Sequence, residues 1–476
     1  MKNRGSSALV ERGWVLALLG LGLLVRLAFL LKGATIYYGA GQEHLNGDSF
    51  SFTRSFLNLW QTGHYTLEPL IPSASFGRLP GYPFFYGLHY LVFGPKWVVT
   101  AISISQVLLD TSVILLLYNL VRRWTGQLWP ARLAALLYAT YPFAIIWVTV
   151  VGTETLNTFC TVAWLSVLTR QKNSRRHYVV VGVLAALTFY VRAYMGVLLP
   201  ISIAFVWLWP HTSSTARWQR AMWVAVGFGV LYIWWPMRNY ANHGQLVLLK
   251  PISAGYANQR KDMQAYLDWL HCWTNDNTTW VEGMLQDKLP PYPTTIFGSA
   301  AEEHRAYVLT KLAARCGSSF HLRRLNTHDY RLVLPERFHN CNKQIAAGFD
   351  SLRQSYVQRQ PLKYYTDVPL ANLRKAFFKS ATIHQSSSAA KELFQRVLFG
   401  YRTLLLLLGV VGVVRGWRLP YFWPVAACFG LLYVYISVDF RSLEMRYLLQ
   451  ADVLLLLPVA SLIANWLAIK QPRLQV

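Results

Sequence analysis

The sequence predicts an α-helical polytopic membrane protein, with about ten transmembrane helices and an α-rich domain outside the membrane. Three observations predict it. First, 54% of the 476 residues are hydrophobic, 15% are aromatic and only 14% are charged, against roughly 25% charged residues in soluble domains. Second, apolar runs repeatedly approach the ~20 residues that a helix needs to cross a bilayer. Third, the basic residues, which give a net charge of +25, fall mainly between those runs. That placement marks topology and attraction to anionic head groups. The chain has no nucleic-acid-binding motif and no basic run interleaved with aromatics, so nucleic acid is excluded as a partner.

Span lengths follow from the apolar runs, and their direction from the excess of Lys and Arg on the cytoplasmic side. Span 1 covers about Trp14–Leu31, with Lys2, Arg4 and Arg12 inside. It is too long for the apolar part of a secretion signal, and no small-x-small cleavage site follows. A long outer loop, 32–96, comes next. Span 2 is Trp97–Val121, ending at Arg122 and Arg123 inside, and span 3, Ala131–Val150, returns outward. Span 4, Leu156–Thr169, ends in the basic loop "RQKNSRR". Spans 5 and 6 are Tyr178–Val191 and Met195–Trp209; span 7, Ala221–Pro236, follows Arg217 and Arg220. Spans 8 to 10 are Val397–Val414, Tyr421–Val438 and Tyr447–Ile469. Ten spans with both termini inside satisfy every basic loop at once. The expected domains are therefore a transmembrane module over 1–237, an outer domain over 238–391 and closing spans over 392–476.

Two segments need separate treatment. "YPFFYGLHYLVF", Tyr82–Phe93, is too short to span and rich in aromatics, and reads as a helix lying in the membrane interface. Within 238–391, "AAEEHRAYVLTKLAARC" and "AAGFDSLRQSYVQR" read as helices, separated from others by the breaker run "LPPYPTTIFG". Cys272, Cys316 and Cys341 share this region, which permits one disulfide and leaves one thiol over. Cys160 and Cys428 lie in apolar spans, and no CxxC zinc motif occurs.

The outer ends of the spans collect polar residues that the orientation bias does not favour there. Asp48 lies just beyond span 1, heading a segment in which Phe52, Phe56 and Leu59 share a helical face. "GRLPGYP" carries Arg78 and Tyr82, and "GTET" places Glu154 between spans 3 and 4. Arg192 lies between spans 5 and 6, "PMRNY" supplies Arg238 and Asn239, and Arg441, Glu444 and Arg446 precede span 10. Arginine forks match phosphate oxygens, a nearby carboxylate accepts a proton from an attacking hydroxyl, and positive charge stabilises a departing phosphate. Together these parts suit a lipid-phosphate substrate. Plainer roles compete: Asp48 and Glu154 as helix caps, Arg78, Arg238 and Arg446 as head-group anchors, Asp110 and Asp452 as partners of neighbouring helices. His44, His64 and His89 have no metal-ligand spacing.

The pieces "NGDSFSFTRSFLNLWQTGHYT", "GRLPGYPFFYGLHYLVFG", "YPFAIIWVTVVGTETL", "LTFYVRAYMGVLLP", "WWPMRNYANHGQLV" and "EMRYLLQADVLLL", in that order, resemble the GT-C membrane glycosyltransferases. The resemblance is to the protein O-mannosyltransferase and lipid A aminoarabinose transferase branch. It implies a GT-C fold and inverting transfer of a sugar, hexosyl or pentosyl, from a polyprenyl-phosphate donor. The acceptor would be a lipid, glycan or protein at the outer face of the membrane. It implies Asp48 as the catalytic base and Glu154 as a residue handling acceptor or metal. Arg192, Arg446 and Arg78 would hold the donor phosphate, with Tyr82, Arg238 and Asn239 in the substrate pocket. A divalent metal ion stays open as cofactor, because some relatives use one. Two departures stand out: Asp48 is followed by Ser49 where many members have a second acid, and 256–391 lies outside the resemblance.

Two rival classes predict other features. A transporter or flippase of lipid-linked sugars predicts inverted repeats, which the sequence lacks. A non-catalytic assembly protein predicts no need for Asp48 or Arg192. The expected location is a bacterial inner membrane with the site facing the periplasm.

Overall fold

The computed structural model describes residues 3–45, 48–67, 76–170, 172–208, 214–249, 261–325, 336–379, 389–419, 421–441 and 444–469. The expected tail after span 10, with Lys470 and Arg473, lies outside them. The described residues form helices and connecting turns, with no strand among them. In order the helices are α1 (Asn3–Ala28), α2 (Ala34–Tyr38), α3 (Ser49–Thr62), α4 (Gly81–Thr125), α5 (Leu128–Ala139), α6 (Pro142–Ile145), α7 (Thr153–Leu168), α8 (Arg175–Val191), α9 (Leu198–Leu208) and α10 (Ser214–Tyr232). They continue as α11 (Trp234–His243), α12 (Lys261–Leu270), α13 (Gly283–Leu285), α14 (Ala300–Cys316), α15 (Ser318–Arg324), α16 (Glu336–Arg359), α17 (Val368–Phe377), α18 (Ala389–Arg415), α19 (Phe422–Val434) and α20 (Leu449–Ile469). Five helices among the described residues are long and apolar enough to cross a membrane. The chain is an integral membrane protein.

Burial sorts these helices. In α1 the most apolar stretch is only 17% buried, whereas in α20 it is 78% buried. Most leucines on α1 therefore lie on the outside of the bundle, with Leu18 buried in the core, and those of α20 form the centre of the bundle, packed against α5, α7, α18 and α19. Side chains of α7 and α8 join the same core. Backbones approach most closely where α8 crosses α10: a Cβ at Gly182 would sit 2.0 Å from the Val224 carbonyl oxygen. Small residues permit such crossings in lipid, where van der Waals packing supplies the attraction.

The charges inside the spans are paired. Arg26 on α1 donates to Asp110 on α4 at 2.5 Å, and Tyr138 on α5 donates to the other oxygen of that carboxylate. Arg402 on α18 donates to Asp452 on α20 at 2.7 Å, while Tyr433 on α19 also donates to Asp452. Each cluster fastens three helices. An isolated charge at that depth is costly, and a complete hydrogen-bond set is what makes it tolerable.

Helix α4 holds both the expected interfacial segment and span 2. Its axis breaks at Gly94, which has φ 71° and precedes Pro95. A left-handed residue is cheap for glycine, and proline removes the donor that would continue the helix. The third expected span departs from a simple helix. α5 ends at Ala139, and the chain continues through the short α6 and a series of turns to Gly152. Pro142 interrupts the helical ladder, and irregular backbone inside a bundle survives only where side chains satisfy it. Gln106 on α4 does so, donating to the carbonyls of Val148 and Val150 at 3.1 and 2.8 Å.

The polar region builds a second core from residues between Met263 and Tyr356, dominated by Tyr266, Trp269, Phe320 and Phe349. Cys316 and Cys341 form a disulfide within it, and Cys272 stays a buried free thiol. α17 packs instead on the first core, where Ala376 is fully buried.

Candidate active site

The site is assembled by four chain breaks at the same end of the bundle. The first is the start of α3. Phe52 and Phe56 pack into a small core with Tyr82, Tyr86, Val98, Ile102 and Val151, which docks α3 on the first part of α4. Leu59 is partly buried beside the main core. Asn58 donates to the carbonyls of Thr66 and Leu67 at 2.8 and 3.0 Å, holding the chain that leaves α3. Asp48 occupies the position before the first helical residue but makes no side-chain cap hydrogen bond there. Its carboxylate is turned toward Arg446.

The second break is the start of α7. The extended Gly152 precedes it, and a Cβ at that position would come 2.7 Å from a Glu154 oxygen. Glycine thus leaves room for the carboxylate. Glu154 is 2% exposed. The segment before it is stitched to the Asp48 loop: the Val151 N–H donates to the His44 carbonyl at 2.8 Å, and the His44 ring contacts Ser103 and the Thr149 carbonyl.

The third break lies between α8 and α9, and the fourth before α20. Arg192 ends α8 in an extended conformation, donating to Glu154 and to the Thr153 hydroxyl. Arg446 forms an ion pair with Asp48, lies 4.0 Å from Glu154 through the same nitrogen, and approaches Glu444 at 2.5 Å. Asp48, Arg446, Glu154 and Arg192 thus form one alternating chain of charges. Gln450 fixes its geometry. Its amide donates to the Thr158 hydroxyl at 3.2 Å and to the Glu154 carbonyl at 3.4 Å, and it accepts from Tyr194 at 3.2 Å. Tyr447 adds an aromatic face 5.2 Å from the Arg192 guanidinium.

Arg78 stands beside this chain. It donates to Ser51 at 2.6 Å and lies 5.0 Å from the Phe52 ring, while Arg192 lies 5.9 Å from that ring. The other expected pocket residues are placed differently. Tyr82 is fully buried, with its hydroxyl donating to Gln106 at 3.2 Å, and serves as a wall. Arg238 donates to the carbonyls of Phe76 and Tyr65 and to Asn239, whose amide donates to Val247. These two latch the loop that carries Arg78 and make no contact with the acids. Thr153, Tyr447 and Gln450 went unnoticed in the sequence. Gln450, a polar side chain in an apolar run, carried a signal, since such residues at membrane depth have partners or functions.

No group of three His, Cys, Asp or Glu side chains is arranged to hold a metal ion among the described residues. The cation that Asp48 and Glu154 share is a guanidinium. These residues do not present an open pair of carboxylates for a divalent ion.

Comparisons with known proteins agree with this architecture. Residues 77–238 match the family model of the dolichyl-phosphate-mannose-protein mannosyltransferases. No curated protein sequence matches the chain. Among solved structures it is similar to the archaeal oligosaccharyltransferase AglB from Archaeoglobus fulgidus in complex with an inhibitory peptide and a dolichol-phosphate. That likeness has 12% identity and a TM-score of 0.50, and covers 98% of this chain and 52% of that one. The chain thus spans about half the length of that relative. ArnT from Cupriavidus metallidurans matches in its apo state with 13% identity and a TM-score of 0.38, covering 95% of this chain and 78% of that one. The match to ArnT bound to undecaprenyl phosphate has 14% identity and a TM-score of 0.39, covering 97% and 80%. The chain thus shares the fold of AglB, and its residues 77–238 are similar to the dolichyl-phosphate-mannose-protein mannosyltransferase family.

Proposed function

We propose that the protein transfers a sugar from a polyprenyl-phosphate donor to an acceptor at the outer face of the membrane, with inversion at the anomeric carbon. The observation that carries this reading is the shared guanidinium: Arg446 is bound at once to Asp48 and, more loosely, to Glu154. A phosphate entering the site competes for that fork, because arginine binds phosphate in the same bidentate way as carboxylate. Arg446 turns toward the phosphate, and Asp48 loses this ion pair. The released carboxylate then accepts the proton of the acceptor hydroxyl or amine as that group attacks. The anomeric C–O bond breaks, and its electron pair leaves on the phosphate oxygen, whose charge Arg192 and Arg446 stabilise.

Glu154 keeps Arg192 in place throughout, since the pair is nearly sealed from solvent. Arg78 adds positive charge beside Phe52. A donor held by its own lipid explains why the acid sits where the chain leaves the membrane. The dolichol-phosphate in the Archaeoglobus protein's complex supports a lipid-phosphate ligand for this fold.

The test is a donor panel. Purified protein in lipid is given radiolabelled polyprenyl-phosphate sugars and the corresponding nucleotide sugars, with extracted membrane lipids and peptides as acceptors. The proposal expects label to leave the lipid donors alone and free polyprenyl phosphate to appear in step. Use of nucleotide sugars, or no release from any lipid donor, would refute it.

A further inference from the structure

The bundle carries a second polar site at its opposite end. α7 runs from Glu154 to Leu168 and α8 returns to Arg192, so at ~1.5 Å per residue the far ends of these helices lie about 20 Å or more from the acids. Between those ends and the start of α10 is a cavity of about 170 Å³, where a single water needs roughly 10–15 Å³. Arg170, Lys172, His177 and Arg220 line it together with Asn173 and apolar Leu168, Phe205 and Val206. No carboxylate lines it, and the sequence has no Asp or Glu between Glu154 and Asp262.

This arrangement differs from a solvated basic loop. Arg220 is braced, donating to the Asn173 side chain at 3.2 Å and lying 5.7 Å from the Tyr178 ring. Arg175 at the start of α8 lies 5.5 Å from the Trp223 ring, outside the cavity. His177 is buried in the wall. Arg170, Lys172 and Arg220 thus converge on one concave space with no carboxylate among its described lining residues. Like charges gathered that way repel one another, and an anion seated among them removes the repulsion. The apolar side of the cavity suits carbon atoms attached to that anion. Basic pockets between membrane helices hold lipid phosphates by these means.

We propose that this cavity binds a phosphate group, carried by an anionic glycerolipid or free in solution, at the end of the bundle away from the sugar-transfer site. The proposal does not depend on that site's function.

Lys172 is exposed at the rim and reports occupancy. The full-length protein is placed in phosphatidylcholine nanodiscs, in nanodiscs containing phosphatidylglycerol, or in phosphatidylcholine nanodiscs with millimolar inorganic phosphate. Acetylation of Lys172 by a water-soluble ester is followed by peptide mass spectrometry, relative to Lys96, which follows the Gly94 break in α4. Phosphatidylglycerol is expected to slow Lys172 by about fivefold or more, the equivalent of ~1 kcal/mol. Protection by phosphatidylglycerol alone identifies a lipid head group; protection by inorganic phosphate as well identifies the free anion. Arg220→Gln, and separately Arg170→Gln, should remove most of the protection while leaving the Lys96 rate unchanged. Equal Lys172 rates in all three conditions, or full protection in both variants, would overturn the proposal.

Discussion

Arg446, just ahead of the last helix, is ion-paired with Asp48, at the head of the first amphipathic helix. The contact closes the bundle at its functional end and sets the state of the acid before any substrate arrives. The same arginine reaches Glu154 and Glu444. Lysine keeps the charge but is a point donor that cannot span several oxygens. Arg446→Lys should therefore lower kcat/KM by about 10²–10³, the cost of losing one group that stabilises developing charge. Steady-state kinetics with a lipid-linked donor checks this.

Glu154 and Arg192 are expected to behave as a unit. Removing only the arginine strands a carboxylate that is 2% exposed, which typically costs ~3–5 kcal/mol when a buried pair is broken. Arg192→Leu should lower the thermal midpoint in detergent more than Arg192→Leu combined with Glu154→Gln. Both should be inactive. Equal midpoints would show that the pair contributes nothing to stability.

Arg441 links the second core to the site. It has φ 54° and donates to the carbonyls of His271 and Tyr364 at 3.0 and 2.9 Å, with the Tyr364 ring 3.9 Å away. Hydrogen bonds from a charged donor contribute ~1.5–3 kcal/mol each. Arg441→Ala should leave the Cys316–Cys341 domain folded while loosening its attachment. Hydrogen exchange is expected to accelerate around His271, Tyr364 and Glu444, and to stay unchanged along α14.

His271 gives that domain an acid sensitivity. Burial chiefly pushes its pKa below the ordinary 6.5, the Arg441 charge adds to the effect, and the hydrogen bond to Asn277 opposes it. The folded state thus favours the neutral ring. Its contribution to stability is complete above about 6.5 and declines as pH falls below that value, where the unfolded chain takes up the proton first. Half-buried Asp268, whose pKa is raised mainly by desolvation, acts in the opposite sense. The test is therefore a difference: the loss of thermal midpoint from about pH 7.5 to 5.5 should be smaller in His271→Gln than in the parent.

Much of the architecture was legible because it follows from local pattern. The helix Ala300–Cys316 coincides with its quoted segment, since Ser299 caps it and the breaker run ends before it. Asp48, Glu154, Arg192 and Arg446 stood out as charges at the outer ends of the spans, and the structure gathers them in one cluster. The break in the third span was not legible. Pro142 warned of it, but the side chain that makes irregular backbone tolerable there, Gln106, comes from another helix. The partners of Tyr82, Arg238 and Asn239 were not legible for a related reason: a polar residue near a site and one that braces its walls look alike until its partner is known. Cysteine pairing was undetermined because three thiols in one region admit more than one pairing, and only the packing of α14 against α16 brings Cys316 to Cys341.

The most direct test of the central claim separates chemistry from donor binding at Asp48. The Asp48→Asn protein is compared with the parent for affinity toward a polyprenyl-phosphate sugar, by lipid-exchange titration, and for single-turnover transfer with donor saturating. Loss of a positioned base predicts a fall of about 10²–10⁴ in the transfer rate. Donor affinity should be unchanged or tighter, because Arg446 no longer divides its charge with a carboxylate. Transfer at the parental rate, or a loss accounted for entirely by weaker donor binding, would contradict the account.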